Sequence, residues 1–219
     1  MALPSTVPPT RAPVDAGPCA LKPPLRRLTR DFYARPALTL ARDCLGKFLV
    51  FEDGEPLVAR IVEVEAYTGL RDRACHGYGG RRTARNESMF GPAGHAYVFQ
   101  IYGLHLHLNL VASRPGDPSA VLLRALEPCV GEAVMRARRG GRAKRDLCSG
   151  PGKLCQAFGI RLAHDGLDLC HGPLYLAEGP RPSRVSRCPR IGVDYAGSWA
   201  NKPYRFVDPD SDCLSVRPP

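Results

Sequence analysis

No run of about 18 consecutive apolar residues occurs in the sequence, which argues against a membrane-spanning helix. No C-x-x-C pair occurs either: the nine cysteines, at 19, 44, 75, 129, 148, 155, 170, 188 and 213, are odd in number and scattered. That spacing argues against a zinc ribbon and a disulfide framework, and predicts reduced thiols in a cytoplasmic protein. Residues 1–27, MALPSTVPPTRAPVDAGPCALKPPLRR, lack the contiguous apolar segment of a signal peptide and are rich in proline. They read as a disordered leader, and residues 209–219 as a frayed tail. Repeats and internal linkers are missing too, so the 219 residues read as one domain with one core. Acidic residues are in short supply: 21 Asp and Glu against 31 Lys and Arg leave a formal charge of +10. A compact domain with that excess attracts polyanions, although an arginine-rich solvated surface has the same composition.

What is present begins with TRDFYARPALTLARDCLGKFLV, where Thr29 is an N-cap candidate, Pro36 stands in an early turn, and helical spacing runs on into a strand over 48–51. The stretch RIVEVEAYTGLRDRACHGYGG, 60–80, opens as an alternating strand. Strict alternation would place Ile61, Glu63, Glu65 and Tyr67 on one face and Val62, Val64 and Ala66 on the other. The valines then belong to the core and the glutamates point to solvent or a cleft. In AYVFQIYGLHLHLNLV, two alternating strands meet at Tyr102-Gly103. The tyrosine at that reversal is either ordinary hairpin decoration or a wedge for separating base pairs. On the second strand His105, His107 and Asn109 share a face, and an H-x-H pair can begin a metal site, but no carboxylate or cysteine stands at ligand spacing.

VLLRALEP reads as a buried strand carrying Arg124, which needs a partner because an unpaired buried charge is costly, and Glu65 is the natural candidate. GEAVMRARRGGRAKRD reads as a short helix entering a basic glycine loop. In LCSGPGKLCQAFGI, Ser149 can cap the following helix and Lys153 lies in its first turn, a suitable place for a backbone phosphate. The G-x-x-x-x-G-K-[ST] spacing of a nucleotide-binding loop is absent. A carboxylate near an arginine, stacking rings, an exposed tip aromatic and phosphate-binding loops on a basic domain suit extraction of a base from DNA and cleavage of its glycosidic bond. That bond breaks through an oxocarbenium-like sugar, which a carboxylate can stabilise while it deprotonates water.

The blocks VEVEAYTGLRDRACHGYGGRRTARNESMF, AYVFQIYGLHLHLNLV, VLLRALEP, LCSGPGKLCQAFGI and RIGVDYAG resemble, in order and spacing, the alkyladenine (3-methyladenine) DNA glycosylases. The resemblance covers about residues 28–208. It implies a single mixed α/β (α+β) domain built on a curved antiparallel sheet, with flanking helices and a protruding hairpin that enters the minor groove. By position, Glu65 matches the general base, and Arg124 and the carbonyl near Ile191 match the groups that hold the attacking water. Tyr67 and His76 match the residues that stack on and hydrogen-bond the flipped base. Asn109 matches the residue that obstructs normal guanine, and Tyr102 the intercalating tyrosine. Phe99 departs from the pattern: mammalian members have a tyrosine there, so stacking persists and a hydroxyl is lost. Arg81, Arg85 and Lys153 are the expected DNA-phosphate contacts.

These positions imply a monofunctional DNA glycosylase that needs no cofactor or metal. Its partner is duplex DNA containing damaged purines, with no membrane, and the resemblance points to a monomer in the cytoplasm, with the nucleoid if bacterial, or in the nucleus if eukaryotic. Two other readings stay open. An inverting sugar hydrolase could use Glu63 and Glu65, about 7 Å apart along a strand and within its window of roughly 6.5–9.5 Å. A non-enzymatic damaged-DNA-binding protein would explain the charge and the wedge. Glu63 matches no functional position and is expected to be structural.

Overall fold

The computed structural model describes residues 19, 21 and 24–218. Its helices are α1 (Arg30–Tyr33), α2 (Ala37–Cys44), α3 (Glu132–Arg138), α4 (Lys144–Leu147) and α5 (Pro151–Phe158). Its strands are β1 (Phe48–Phe51), β2 (Leu57–Thr68), β3 (Ala96–Ile101), β4 (His105–Val111), β5 (Ser119–Val130), β6 (Leu174–Ala177), β7 (Ser186–Cys188) and β8 (Arg205–Val207). The antiparallel sheet runs β3-β4-β5-β2-β1-β6, with β8 pairing β2 and β7 off that path, and it curls into a half-barrel. This is the mixed α/β fold, with protruding hairpin, that the sequence led us to expect.

Strand β2 is the pivot. Along one edge it pairs with β5; the other edge is shared, first by β1 over 57–60 and then by β8 over 63–65. With neighbours on both edges and cover on both faces, ten consecutive residues from Leu57 to Ala66 are buried. The strand does not keep strict alternation. Register shifts against β5 fall between Ile61 and Glu63 and between Glu63 and Val64, the mark of a β-bulge, which reverses the side-chain parity. Leu57, Ala59 and Ile61 face the main core, and after the bulge so do Val64 and Ala66, while Val62 turns to the other side against Ala125 and Cys213. Ile61 therefore does not share a face with Glu63 and Glu65, and neither glutamate meets solvent.

The main core joins β2, β4 and β5 to α2 and α5 through Leu40, Ile61, Leu108, Leu123, Leu154 and Phe158. Helix α5 starts with Pro at its first turn and stops at Gly159, whose φ of 70° is left-handed. Its N-cap is Gly150 and not Ser149, whose hydroxyl instead accepts from Lys153 Nζ at 3.1 Å. Helical spacing near Thr29 resolves into two helices, because Pro36 keeps the preceding residue out of helical geometry.

Both chain ends make contacts where they are described; residues 1–18, 20, 22 and 23 of the leader and residue 219 of the tail lie outside the described residues. In the leader, Arg27 bridges to Ala177, and Leu21 and Leu25 pack against a small cluster containing Phe48 and Tyr175; just after it, Leu28 N–H donates to the Leu176 carbonyl. That packing brings Cys19 to Cys129 with a Cα separation of 5.5 Å, and the two form a disulfide across 110 residues; seven cysteines are free. The expectation of reduced thiols throughout is corrected at this pair. In the C-terminal segment Cys213 is buried and Ser215 N–H donates to Glu63.

Candidate active site

Opposite α2 and α5, the sheet carries a second apolar cluster in which Tyr97 and Phe99 of β3 pack with Cys75, Met89 and Phe90 from the 69–90 loops. A cavity of about 110 Å³ opens there. Its wall includes Tyr67, His76, Phe99, Asn109, Arg124 and Ile191, so the structure brings together these expected positions. Register explains the grouping: Tyr97 pairs with Asn109 and Phe99 with His107, and paired residues share a face.

Glu65 lies behind this wall, fully buried. Its Oε1 accepts the Ile191 N–H at 2.8 Å and lies 3.2 Å from Arg124 Nη1; its Oε2 accepts the Tyr67 hydroxyl at 2.9 Å. A carboxylate offers about four lone-pair sites, so these two hydrogen bonds and the guanidinium beside them leave acceptor capacity unused. Burial opposes the charge on Arg124, but Glu65 and Glu63 beside it outweigh that and raise its pKa. Burial and the Glu65 carboxylate push the Tyr67 phenol well up, which keeps it a hydrogen-bond donor. Arg124 Nε donates to Glu63 at 2.9 Å, so the arginine bridges both glutamates and does not serve Glu65 alone. Neither glutamate lines the cavity, and Glu63 accepts four hydrogen bonds, from Arg124, Arg205 and twice from Ser215, which occupy its acceptor sites. It cannot flank a bond opposite Glu65, which removes the geometric basis for an inverting sugar hydrolase.

His76 Nδ1 lies 2.7 Å from the Tyr97 hydroxyl, and its ring meets Phe99 edge-on at 4.6 Å. Burial, with Arg85 and Arg81 nearby, lowers its pKa to about 4, so the imidazole is neutral at pH 7. Burial and Arg124 do the same to His107, also to about 4. Phe99 stacks on Tyr97 with centroids 5.2 Å apart. Asn109 Nδ2 donates to the Tyr97 carbonyl at 3.2 Å, which fixes its amide at the wall. Among the described residues, no group of three or more His, Cys, Asp or Glu is placed to hold a metal ion.

Beneath Tyr67 lies a pair that sequence reasoning missed. Arg190 and Asp72, both wholly buried as side chains, meet at 2.6 and 2.9 Å. The guanidinium carbon sits 4.8 Å from the Tyr67 ring centroid. Asp72 also accepts the Thr68 and Ala74 N–H groups, which shapes the loop leading to His76. Since the partners are 118 residues apart, no local pattern announces them. The Ile191 N–H, 126 residues from Glu65, was missed for the same reason; Tyr97 and Asn86, which donates to the carbonyls of His76 and Arg81, were missed although their partners are nearer in sequence.

The hairpin reverses over three residues, 102–104, because Ile101 pairs directly with His105. Leu104 thus belongs to the tip and not to the strand. Tyr102 is 87% exposed and Leu104 79%. Tyr102 also holds φ at 50°, a left-handed conformation uncommon for a bulky residue. Arg81 and Arg85 line a groove that shares His76, Tyr97 and Tyr195 with the cavity. Lys153 is apart from it, at the start of α5 where Gly152 packs beneath His105 of the hairpin.

The methylpurine-DNA glycosylase (MPG) family model matches residues 31–212. Proteins of Methanocella arvoryzae and Myxococcus xanthus, both named "Putative 3-methyladenine DNA glycosylase", are 52% and 50% identical over 88% of this chain, covering 97% and 95% of their own lengths. A mouse protein named "DNA-3-methyladenine glycosylase" is 44% identical over 87% of this chain and 61% of its own. A match of this extent, over a pocket built from the same stretches that carry the resemblance, means that the chain belongs to the methylpurine-DNA glycosylase family.

Proposed function

We propose that the protein is a monofunctional DNA glycosylase that flips a damaged purine out of duplex DNA and hydrolyses its N-glycosidic bond with a water activated by Glu65. The observation that carries this reading is the state of Glu65: buried directly behind an aromatic pocket, accepting from Tyr67 and the Ile191 N–H and paired with Arg124, with acceptor capacity left for a water. Arg124 and the Ile191 N–H orient the carboxylate, and the low-polarity surroundings strengthen its attraction to an oxocarbenium-like sugar. An alkylated purine already carries the positive charge that makes it a leaving group, so the pocket needs no strong general acid. Its neutral histidine and phenolic hydroxyls fit that requirement.

Flipping costs a few kcal/mol, least for a damaged base. Stacking against Tyr67 on one side and the His76–Phe99 pair on the other returns about 1–3 kcal/mol per base. Selection therefore starts before the bond breaks. Tyr102 fills the vacated stack, and Arg81, Arg85 and Lys153 meet backbone phosphates. Asn109 obstructs the exocyclic amine of normal guanine. Among the described residues the lining contains no lysine, which supports hydrolysis without strand nicking. The relatives' names favour 3-methyladenine, with other alkylated, deaminated or etheno purines as further substrates. The protein acts as a monomer wherever the genome lies, in the cytoplasm or the nucleus, as the first step of base excision repair. A non-enzymatic damaged-DNA-binding protein would have no use for a buried carboxylate with an open acceptor site.

The test is single-turnover cleavage of duplex DNA containing one hypoxanthine or methylated purine, comparing wild type with Glu65→Gln, read with and without alkali. We expect alkali-dependent strand breaks for wild type and none for the variant, with duplex binding retained. Cleavage by Glu65→Gln at the wild-type rate would refute the mechanism; binding with no base release by wild type from either substrate would favour the non-enzymatic reading.

A further inference from the structure

After β8 the chain runs along the outer side of the sheet and returns to β2. Cys213 and Leu214 cover Val62 and Ala125, the small cluster created by the bulge. The next residue, Ser215, donates its N–H to Glu63 Oε2 at 2.7 Å and its hydroxyl to Oε1 at 2.6 Å. That hydroxyl in turn accepts from Arg124 Nη2 at 3.3 Å. Glu63 Oε1 also accepts Arg124 Nε at 2.9 Å and Arg205 Nε at 2.8 Å, and Arg205 Nη2 donates to the Val216 carbonyl. Two carboxylates and two guanidiniums thus form a neutral buried cluster, closed from outside by the C-terminal segment.

All three nitrogens of the Arg124 guanidinium are engaged: Nε by Glu63, Nη1 by Glu65 and Nη2 by Ser215. A planar fork held at three points has one orientation, and here that orientation aims Nη1 at the carboxylate behind the pocket. Without the Ser215 hydroxyl, Nη2 is free to swing to Glu63 and form a two-pronged pair, which takes Nη1 away from Glu65. The family match ends at residue 212, short of this contact.

We propose that Ser215 is a positioning residue of the active site, fixing the plane of Arg124 directly and through Glu63 so that Arg124 holds Glu65. Glu63, by this reading, is also a positioning residue and more than a structural one. The inference rests on Glu65 being the base.

The experiment uses the full chain and three variants, Ser215→Ala, Ser215→Thr and Glu65→Gln. For each, the single-turnover rate of hypoxanthine release at saturating enzyme, the Kd for a duplex carrying an abasic-site analogue, and the Tm are measured. We expect Ser215→Ala to slow release about ten-fold, the effect of losing roughly one hydrogen bond, with Kd unchanged, and Ser215→Thr to restore most of the rate. An alanine rate equal to wild type, whether or not Tm falls, would make Ser215 a structural strap only, and a threonine rate as low as alanine's would also overturn the proposal. Base release by Glu65→Gln at the wild-type rate marks the separate failure of the base assignment.

Discussion

Replacing Asp72 by Asn tests whether the charge pair beneath Tyr67 holds the site together. Asp72 Oδ2 accepts from Arg190 Nη1 at 2.6 Å and from Thr68 N–H at 3.0 Å, and Oδ1 accepts from Arg190 Nη2 at 2.9 Å and from Ala74 N–H at 3.0 Å. An asparagine keeps one acceptor oxygen and turns an NH2 group toward two donors. It also leaves the Arg190 charge, wholly buried, with no carboxylate in contact. The guanidinium has little else to fall back on: Nη1 reaches the Ala66 carbonyl, Nη2 the Trp199 carbonyl, and Nε has no hydrogen-bond partner among the described residues.

Breaking a buried pair from one side costs about 3–5 kcal/mol. For a domain of this size each kcal/mol lowers Tm by about 2–4 °C, so the melting point should fall by roughly 6–20 °C. Out of a typical total of about 5–15 kcal/mol the variant stays folded or nearly so at low temperature. Thermal and urea unfolding followed by circular dichroism give the number. Converting Arg190 to Met in the Asp72→Asn background removes the stranded charge and should recover much of the loss, because the uncompensated buried charge is the larger part of the cost of breaking the pair from one side. Glu87→Gln, which breaks the exposed Arg82–Glu87 pair, should change stability too little to measure. A loss below about 1 kcal/mol for Asp72→Asn, or no recovery in the double variant, would refute the account of the pair as a buried charge that depends on its counter-ion.

The two pocket histidines make stability depend on pH. His76 and His107 titrate at about 4 in the folded protein against 6.5 for the ordinary group. Between those values the unfolded chain binds more protons, so their contribution is present in full above about pH 6.5 and is lost as pH falls toward 4. Urea midpoints should therefore decline across that window, and less so in His107→Gln; an unchanged slope in the variant would count against a buried neutral imidazole at 107. Tyr102→Ala should leave Tm unchanged, since the ring is 87% exposed, yet reduce the fluorescence rise of 2-aminopurine placed beside a lesion. An undiminished rise would rule out insertion. If Lys153 neutralises one phosphate, Lys153→Ala should make the log K against log salt slope shallower by about 0.9, and an identical slope would remove that contact.

Period-two patterning found β2 and the β3–β4 hairpin, while β5 was found as an apolar run interrupted by one arginine. It missed the bulge in β2, since one inserted residue reverses every later face and leaves no compositional trace. The roles of Glu65, Tyr67 and His76 came from the resemblance; their proximity came from the sheet register and the 69–90 loops. The need for a partner at Arg124 was legible, because an arginine amid apolar residues must be neutralised. The number of partners was not: Glu63, Glu65 and Ser215 all serve it, the last from 91 residues away. Asp72 for Arg190 and Glu63 for Arg205 follow the same rule over 118 and 142 residues. A buried charge in a strand shows locally that something must come to it, while what comes is decided by which distant segment the closed fold lays against that strand. For this reason the groups placed at the chemistry could be read from β2 and β5, whereas those that aim them sit in the 69–76 loop, the 190–205 segment and the C-terminal strap.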